Sequence, residues 1–579
     1  MNKWGFPYEL YDIQNQFIDD AIKVISDGKI GIFSSPTGTG KTISLLSVCT
    51  NFAYHDNDNL YNLLFSANKT KIYYCSRTHT QLAQVLHELD TNIHHYNTVI
   101  LGSRKLYCIH PIQSTCNDIE ELNSKCHELI VNNKCEYYKG SFYQSGNASV
   151  NELRQKGLCE KFCPYYYSKD RAAMCEIVLL PYNLLFTQEG RNSVDIDIDG
   201  KIVIVDEAHN ICDTIIELNT VELIFNEIKK IGYCKGISSN LKDIITKILY
   251  FQNVTTNISD TIISVDEFIH KARLEHYNMF DIEEFIKSNK LAQRNNNPFI
   301  FKFSRFLKLL TFSNSNDIIV YNKTRIKFTP LSPQLYLKEL YKCKSVLFAG
   351  GTMEPIDQLA SIFDPIKYYN YHVSNRHILP IILGTDITNK EICLIYDNRD
   401  RLLNPILKTL YSLSYIAKNG GVIVFFPSKT FLELIKQNMD VNSFRKPIYF
   451  DDSFELFKQN QGILFTVMGG KLSEGINFED DACRLLIVVG VPFPSNTIEF
   501  KKRIRHDSQY GINQAMNKVN QAIGRAIRHA NDYAAVVLMD IRYKRFTSKL
   551  SPWINSKLKI LNCCQTLEEI NRFFKSFNH

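Results

Sequence analysis

No apolar run in this 579-residue sequence approaches the roughly 20 residues that a helix needs to cross a bilayer. The best candidates, such as Leu485–Pro492, have only the length of a strand. The first residues, MNKWGFPYELYDIQ, contain no apolar segment of the kind that signal peptides have. We therefore expect neither a membrane anchor nor export.

Glycine and proline are also scarce, at 25 and 17 residues, while 45% of the chain is hydrophobic and 22% is charged. These proportions are ordinary for a globular protein and exclude collagen, long disorder and a coiled-coil rod. A strong charge imbalance is lacking too, because 67 basic and 60 acidic residues leave a net charge of +7. This mild surplus permits a nucleic-acid partner without identifying one.

The sequence contains 16 cysteines, a number that would suit a disulfide framework only in a small secreted protein. Because this chain is large and shows no export signal, we expect its thiols to be reduced. Seven lie close together in the sequence: Cys108, Cys116, Cys126, Cys135, Cys159, Cys163 and Cys175. Such clustering favours a metal site. No pair has the C-x2-C spacing of a zinc ribbon, although Cys159 and Cys163 come closest. Irregular thiolate spacing suits an iron–sulfur cluster. The spacing alone does not distinguish a cluster from a zinc site, or either of these from buried structural cysteines.

Short apolar runs recur along the chain and alternate with helical stretches, as buried parallel sheets require. The runs are IGIF (30–33), IYYC (72–75), IVIV (202–205), VLFAGG (346–351), VIVFFP (422–427), ILFTVMGG (463–470), LLIVVG (485–490) and AVVLMD (535–540). One group ends before residue 352 and the other begins after residue 420, which predicts two α/β domains. Two segments without this rhythm, about 105–170 and 213–335, are predicted insertions into the first domain, the second of them mainly helical.

A phosphate-binding loop follows the first apolar run and precedes a helical stretch. Its residues are Ser35, Pro36, Thr37, Gly38, Thr39, Gly40, Lys41 and Thr42. Ser35 replaces the usual first glycine, but the two glycines allow the backbone to curl around phosphate oxygens. Lys41 would reach the β- and γ-phosphates and Thr42 would ligate Mg²⁺, with the helix dipole adding to the attraction. The alternative is a plain glycine-rich turn.

A pair of carboxylates, Asp206 and Glu207 in the tetrapeptide DEAH, follows the run IVIV directly. Parallel sheets bind ligands at this end of their strands. We expect Asp206 to hold Mg²⁺ and Glu207 to orient and deprotonate the attacking water. Acidic residues often end strands without function, so the assignment depends on the pairing with Lys41.

The segment QAIGRAIR contains Gln521, Arg525 and Arg528. On a helix these side chains would share one face. The two arginines could meet the γ-phosphate across a cleft as arginine fingers, which are worth about 10³–10⁵ in rate. The alternative is a solvated basic face. If Lys41 and the arginines belong to different domains, ATP would close these domains and hydrolysis would open them, as in a motor.

The loop, DEAH, GGT (350–352) and QAIGRAIR together resemble the XPD-like, iron–sulfur type of superfamily 2 helicases over essentially the whole chain. Within that family, four stretches are similar to the ChlR/Chl branch linked to sister-chromatid cohesion: FPY (6–8), FAGGTMEP (348–355), GGKLSEGINF (469–478) and VNQAIGRAIRH (519–529). XPD-type relatives read SGTLSP and RGKVSEGIDF at the second and third of these. RTEL-like and Fanconi-type paralogues share much of the fourth.

The resemblance implies further roles by position. Gln14 would read adenine, Ser76-Arg77-Thr78-His79 would touch the DNA backbone, and Gly350-Gly351-Thr352 would couple hydrolysis to movement. Glu474 and Gly475 would lie near nucleotide and DNA. Four cysteines would hold a [4Fe–4S] cluster: Cys108, Cys126, Cys135 and Cys163, although Cys159 could compete with Cys163. Both insertions are short for this branch. Their length bears on the partner contacts that inserted segments normally make more than on the motor itself.

Basic and aromatic residues flank the proposed cluster and are candidates for stacking on bases or following phosphates, or for packing around the cluster. They are Arg104, Lys105, Tyr107, Tyr137, Tyr138, Lys139, Tyr165, Tyr166 and Tyr167. A basic run, residues 501–506, is expected to be a solvated face more often than a DNA contact.

The resemblance also implies the architecture and the activity. We expect two RecA-like motor domains, the first built from 1–104, 171–212 and 336–375, with a cluster domain at 105–170 and a helical arch at 213–335, and the second at 376–579. The expected activity is that of an ATP-dependent, Mg²⁺-requiring DNA helicase that moves 5′→3′ on single-stranded and forked DNA. A nuclear, monomeric motor with replisome or cohesion partners fits this picture. The alternatives are an XPD-type transcription and repair subunit and a nucleotide-switched DNA-binding scaffold.

Overall fold

Two seven-stranded parallel sheets form the framework of the computed structural model. The structure describes residues 6, 8–36, 38–54, 70–92, 96–116, 119–138, 147–254, 258–371, 377–417, 419–470, 478, 480–527 and 532–577. Its strands, numbered in chain order, are β1 Ile30–Ser34, β2 Ile72–Ser76, β3 Thr98–Ile100, β4 Ile177–Pro181, β5 Ile202–Asp206, β6 Val221–Ile224, β7 Thr261–Ser264, β8 Ile318–Tyr321, β9 Arg325–Thr329, β10 Ser345–Gly350, β11 Lys367–Asn370, β12 His377–Leu383, β13 Val422–Phe426, β14 Ile448–Tyr449, β15 Ile463–Val467, β16 Leu485–Val489, β17 Tyr533–Met539 and β18 Lys559–Leu561.

The helices cover both faces of these sheets and build the insertions. They are α1 Asp12–Ser26, α2 Lys41–Tyr54, α3 His79–Asn92, α4 Arg104–Tyr107, α5 Ile112–Thr115, α6 Ile119–Val131, α7 Val150–Glu160, α8 Pro164–Met174, α9 Tyr182–Phe186, α10 Gln188–Ser193, α11 Ile211–Leu218, α12 Phe225–Ile231, α13 Ser239–Val254, α14 Val265–Lys271, α15 Met279–Ser288, α16 Leu291–Arg294, α17 Phe299–Thr311, α18 Gln334–Leu337, α19 Asp357–Ile362, α20 Arg399–Ile416, α21 Lys429–Asn438, α22 Phe454–Asn460, α23 Ile498–His506, α24 Tyr510–Gly524, α25 Pro552–Asn555 and α26 Cys563–Lys575. Short 3-10 turns lie at Ala208–Asn210, Lys338–Lys342, Tyr396–Asn398, Val441–Ser443, Asp451–Ser453, Asp480–Ala482, Ile541–Arg545 and Thr547–Lys549.

The first sheet has the strand order β11-β1-β10-β5-β2-β4-β3. Its central strands are buried on both faces, which explains why they read as continuous apolar runs. Strand β1 lies between β10 and β11, which come more than 300 residues later in the chain. The carboxyl ends of β1, β5 and β10 therefore meet at one edge, and the phosphate loop, DEAH and GGT meet there.

The second sheet has the order β14-β15-β13-β16-β17-β12-β18 and is also parallel. Both α/β domains expected from the sequence are therefore present. We call the domain of the first sheet motor domain 1 and that of the second sheet motor domain 2, after the role that the resemblance implies. Motor domain 2 starts with β12, whose strand HILPIIL lies beside β17.

The insertion between β5 and β10 is not purely helical. Four short strands form an antiparallel sheet in the order β6-β9-β8-β7, and helices α12 to α17 pack on it around a core that includes Phe268, Phe303 and Phe306. Each strand has only four or five residues, too few for periodicity to distinguish from helix. We call this insertion the arch.

The cysteine-rich insertion consists of short helices around a small core of Tyr107, Leu153, Phe162, Tyr165 and Tyr167. Helix α6 of this insertion packs against α16 of the arch. Among the described residues, no helix is both long and apolar enough to span a membrane.

Candidate functional site

The phosphate loop is held by its own side chains between β1 and α2. Gly38 and Gly40 have φ values of +79° and +72°, which favour glycine, and a Cβ on Gly40 would collide with Gln14 Nε2. Ser35 Oγ lies 2.8 Å from Thr39 Oγ1, and Ser35 N donates to Gly350 O at 3.0 Å. The backbone of Ser35 thus ties the loop to β10, and its side chain, which the usual glycine would lack, braces the loop through Thr39. Thr37 lies outside the described residues.

Gln14 grips the loop from α1. Its Nε2 donates to Thr39 O at 3.1 Å, and its Oε1 accepts from Tyr11 N at 3.0 Å. The side chain is buried next to Gly40. These contacts give Gln14 a loop-holding role in the structure, while the reading of adenine stays a prediction.

Lys41 lies at the centre of the site, with its ammonium between two carboxylates. Nζ is 2.9 Å from Asp206 Oδ1 and 2.6 Å from Glu207 Oε1. Burial alone would lower the pKa of Lys41, but the two carboxylates outweigh burial and raise it. Burial would likewise raise the pKa of Glu207, yet Lys41 and His209 together hold it well below its usual range. Lys41 and Glu207 are therefore both charged at neutral pH.

Asp206 is the last residue of β5 and is fixed on all sides. Tyr74 OH donates to its Oδ2 at 2.7 Å, Glu207 N donates to its Oδ1 at 2.9 Å, and Tyr182 OH donates to its backbone oxygen. Glu207 has a φ of +56°, an uncommon left-handed conformation for a side chain of this size. The turn that brings both carboxylates to Lys41 is therefore over-determined by its neighbours, as at many functional sites.

Helix α24 of motor domain 2 lies against the DEAH segment. Asn517 Nδ2 donates to His209 O at 2.8 Å and to Asn210 Oδ1 at 3.1 Å, and Gln521 Nε2 donates to Asn517 Oδ1 at 3.1 Å. Further along the helix, a Cβ on Gly524 would lie 3.3 Å from Thr352 Cγ2. A recess lies between the two domains beside these contacts, and residues such as Asp213 and Asn513 line it.

The helix that carries Gln521 ends before the first predicted arginine. Helix α24 ends at Gly524, so Arg525 is its C-cap residue, and Arg528 lies outside the described residues. Gln521 is nearly buried, and Arg525 is half-buried next to the interface. Glu474 and Gly475 also lie outside the described residues.

The four predicted cluster ligands line one recess in the cysteine-rich insertion. Cys108, Cys126, Cys135 and Cys163 line this recess together with apolar residues that include Ile109 and Leu129. Burial raises the pKa of Cys108 and Cys126, and raises that of Cys163 to about 11. Cys159 is exposed and does not line the recess. Among the described residues, no three side chains of the usual metal-ligating types converge closely enough to hold a single ion.

The aromatic residues near this recess divide into two groups. Tyr107, Tyr165 and Tyr167 are buried in the small core, whereas Tyr138 is 43% exposed and meets Tyr166 edge-on at 4.8 Å. The Arg104 guanidinium lies 4.3 Å over the Tyr165 ring and donates to Tyr166 OH at 3.1 Å. Packing therefore accounts for most of these rings, and Tyr138 remains a candidate for stacking. Lys139 lies outside the described residues.

Two family models match the chain, DEAD_2 over residues 74–228 and Helicase C-terminal domain over residues 412–557. ATP-dependent DNA helicase CHL1 of Vanderwaltozyma polyspora is 29% identical over 89% of the chain and 75% of its own length. The protein of the same name from Debaryomyces hansenii is 26% identical over 99% of the chain and 98% of its length. A solved structure titled XPD_Helicase is 21% identical and covers 96% of the chain and 100% of its own, with a TM-score of 0.64.

The chain is similar to the CHL1 DNA helicases in sequence and to XPD in fold. The two family models, the two-domain fold and the site motifs agree with one another, and the resemblance to the ChlR/Chl branch agrees with the names of these relatives. The two parallel sheets of the chain confirm the predicted fold class.

The sequence did not reveal three residues of the candidate site: Asn517, Asn520 and Glu354. Each forms a hydrogen bond across the domain interface in which at most one of the two partners is charged. No local motif marks such residues, although Asn517 and Asn520 lie one helical turn and one residue before Gln521, which offers a weak signal.

Proposed function

We propose that this chain is an ATP-dependent DNA helicase that hydrolyses ATP between its motor domains and moves along one strand in the 5′→3′ direction. One observation carries the proposal: helix α24, which leads into Arg525, contacts the DEAH segment beside Lys41 through Asn517. Opposed motor domains with a shared nucleotide site convert hydrolysis into relative movement. The CHL1 relatives are named as ATP-dependent DNA helicases, which supports the same activity.

The charges of the site fit Mg²⁺ and a triphosphate. Thr42 and Asp206 would hold Mg²⁺, which supplies neutralisation of phosphate charge when bound. Lys41 would exchange a carboxylate contact for phosphate oxygens, which frees Glu207. Without the ammonium, the pKa of Glu207 rises toward its usual range, and the carboxylate becomes a better proton acceptor for water. Gln521, Arg525 and Arg528 complete the site from motor domain 2.

The cysteine recess fits a [4Fe–4S] cluster. Four thiols from separate segments share one largely apolar recess, and thiolate-only ligation is typical of such clusters. Cys108, Cys126, Cys135 and Cys163 would hold it as thiolates. When bound, the cluster supplies covalent links that fasten the insertion, which has only a small core of its own.

Forked or flapped DNA, with one strand passing between the arch and the cysteine-rich insertion, is the proposed substrate, and nuclear replication, repair and cohesion are the proposed setting. Strand displacement on forks with opposite overhangs tests the activity and its direction. We expect unwinding only of forks with a 5′ loading strand, and only with hydrolysable ATP. Equal unwinding of both forks, or unwinding without ATP hydrolysis, would contradict the proposal.

A further inference from the structure

Glu354 forms a hydrogen-bond hub between the motor domains. It follows the GGT segment after β10, and its side chain is 7% exposed. Within the described part of the chain, no lysine or arginine pairs with this carboxylate; hydroxyl and amide donors surround it instead. A buried charge satisfied only by neutral donors is costly to desolvate, so the arrangement requires all its donors in place.

The two oxygens of this carboxylate face different domains. Oε1 accepts from Ser34 Oγ at 3.0 Å, from Tyr368 OH at 2.5 Å and from Asn370 Nδ2, all in motor domain 1. Oε2 accepts from Ser551 Oγ of motor domain 2 at 2.9 Å. Ser34 is the last residue of β1 and directly precedes the phosphate loop, so one carboxylate connects that loop to the opposite domain.

The motor-domain-2 side of the hub is tied to helix α24. Asn520 Nδ2 donates to Glu354 O at 3.1 Å and to Lys549 O at 2.9 Å, while its Oδ1 accepts from Ser551 N at 3.1 Å. Asn520 directly precedes Gln521. A shift of this helix relative to β1 would therefore break the Ser551 and Asn520 bonds to Glu354 together.

We propose that Glu354 is a positioning residue that couples the nucleotide loop to the second motor domain. It does not touch the reacting atoms; it acts through Ser34 on one side and through Ser551 and Asn520 on the other. The inference deepens the proposed helicase activity and depends on it. Loss of this link should raise the amount of ATP hydrolysed per base pair unwound, because hydrolysis continues while fewer hydrolysis events produce a domain movement.

The test measures ATP hydrolysed per base pair unwound by the full chain and three variants, Glu354→Gln, Ser551→Ala and the double variant. We expect each single change to raise this ratio about five-fold and the double variant to add little, because both remove one coupling. The KM for ATP should stay within about two-fold, since the loop itself is retained. Ser556→Ala, which removes a hydroxyl bond within motor domain 2, should leave the ratio at the wild-type value.

An unchanged ratio in Ser551→Ala, or fully additive effects in the double variant, would overturn the inference. Ser551→Ala removes a single hydroxyl and keeps the test valid if Glu354→Gln fails to fold, which thermal melting would show. A wild-type chain that hydrolyses no ATP with DNA would instead refute the proposed function. A wild type that unwinds, with variants of normal ratio, refutes only the role of Glu354.

Discussion

Lys41 is balanced by two carboxylates at the point where phosphate would bind, and this sets the electrostatics of the whole site. Its ammonium contacts Asp206 and Glu207, and its pKa is raised despite burial. The same ammonium lowers the pKa of Glu207, so the position of one side chain controls whether the proposed base is weak or strong.

Lys41→Ala should abolish catalysis while leaving DNA binding in place. We expect kcat for ATP hydrolysis to fall about 10²-fold or more, because a preorganised charge at the phosphates is lost. Radiolabelled phosphate release measures hydrolysis, and a fluorescence anisotropy titration with single-stranded DNA measures binding. Normal unwinding by this variant would show that the nucleotide site has been assigned wrongly.

Cys135→Ser should remove iron, whereas Cys159→Ser should not. Cys135 lines the recess with three other thiols, and Cys159 is exposed outside it. We expect about four iron atoms per chain in the wild type and in Cys159→Ser, and a marked loss in Cys135→Ser. Iron analysis and absorbance near the visible band of the cluster check this. Full iron content in Cys135→Ser, or a colourless wild type that carries zinc, would contradict the assignment.

The sequence could reveal those site residues that lie next to one another in a short motif. The phosphate loop and DEAH are short motifs on strand ends, so their chemistry can be recognised without a structure. Glu354 and Asn520 contribute through hydrogen bonds to residues that are distant in the chain, and such bonds leave no periodic or compositional trace. The side chain of Gln14 shows the opposite case, because the motif indicated a site but not its contact with the loop.

Among the elements, helix α24 connects the two motor domains most directly. It contacts DEAH through Asn517, Glu354 through Asn520 and Thr352 through Gly524. The sequence predicted a helix bearing functional residues here but extended it through Arg528. It ends at Gly524 instead, and Arg525 is its C-cap residue.

Asn517→Ala should weaken closure of the domains without affecting nucleotide binding by the loop. Two interdomain hydrogen bonds are lost, each worth about 1 kcal/mol. We expect DNA-stimulated kcat to fall about ten-fold, with little change in the KM for ATP. Asn460→Ala, which removes an exposed bond inside motor domain 2, is the matched control. A rise in KM with unchanged kcat would show that Asn517 serves binding rather than closure.

The short strands of the arch are elements that the periodicity of the sequence does not identify. Segments such as VELI and TIIS have four residues each and lie between helices. They form a sheet because β6 and β7 find partners in β8 and β9 about 55 to 110 residues away. Long-range pairing of this kind overrides local pattern.

At the scale of the whole molecule, the arch contacts both motor domain 2 and the cysteine-rich insertion. Its α16 packs against α6 of the cysteine-rich insertion, Lys327 forms an ion pair with Glu499 of motor domain 2, and Asn316 Nδ2 lies 3.3 Å from His506 Nε2. The domain boundaries given above remain predictions, but these contacts show that the arch, motor domain 2 and the cysteine-rich insertion form a continuous frame.

Reversing the charge of Lys327 should loosen this frame, and exchanging both charges should restore it. The pair is partly buried, so it is worth about 1 kcal/mol at most, and salt screens it only in part. We expect Lys327→Glu to shorten the average length unwound about two- to five-fold, and the double exchange of Lys327→Glu with Glu499→Lys to recover most of it. Unwinding of short and long forks measures this. Equal loss in the single and double variants would exclude a role for the pair.

The placement of β1 between β10 and β11 has a consequence for biosynthesis. On the ribosome, the apolar strand β1 of a nascent chain cannot pair with β10 until residue 350 has left the exit tunnel, nor with β11 until residue 370 has left it. By then both insertions have already emerged and can begin to acquire their own structure. The nucleotide site can therefore be assembled only after the cysteine-rich segment has left the ribosome, so the four cysteines would be free to bind a proposed cluster before the two motor domains are complete.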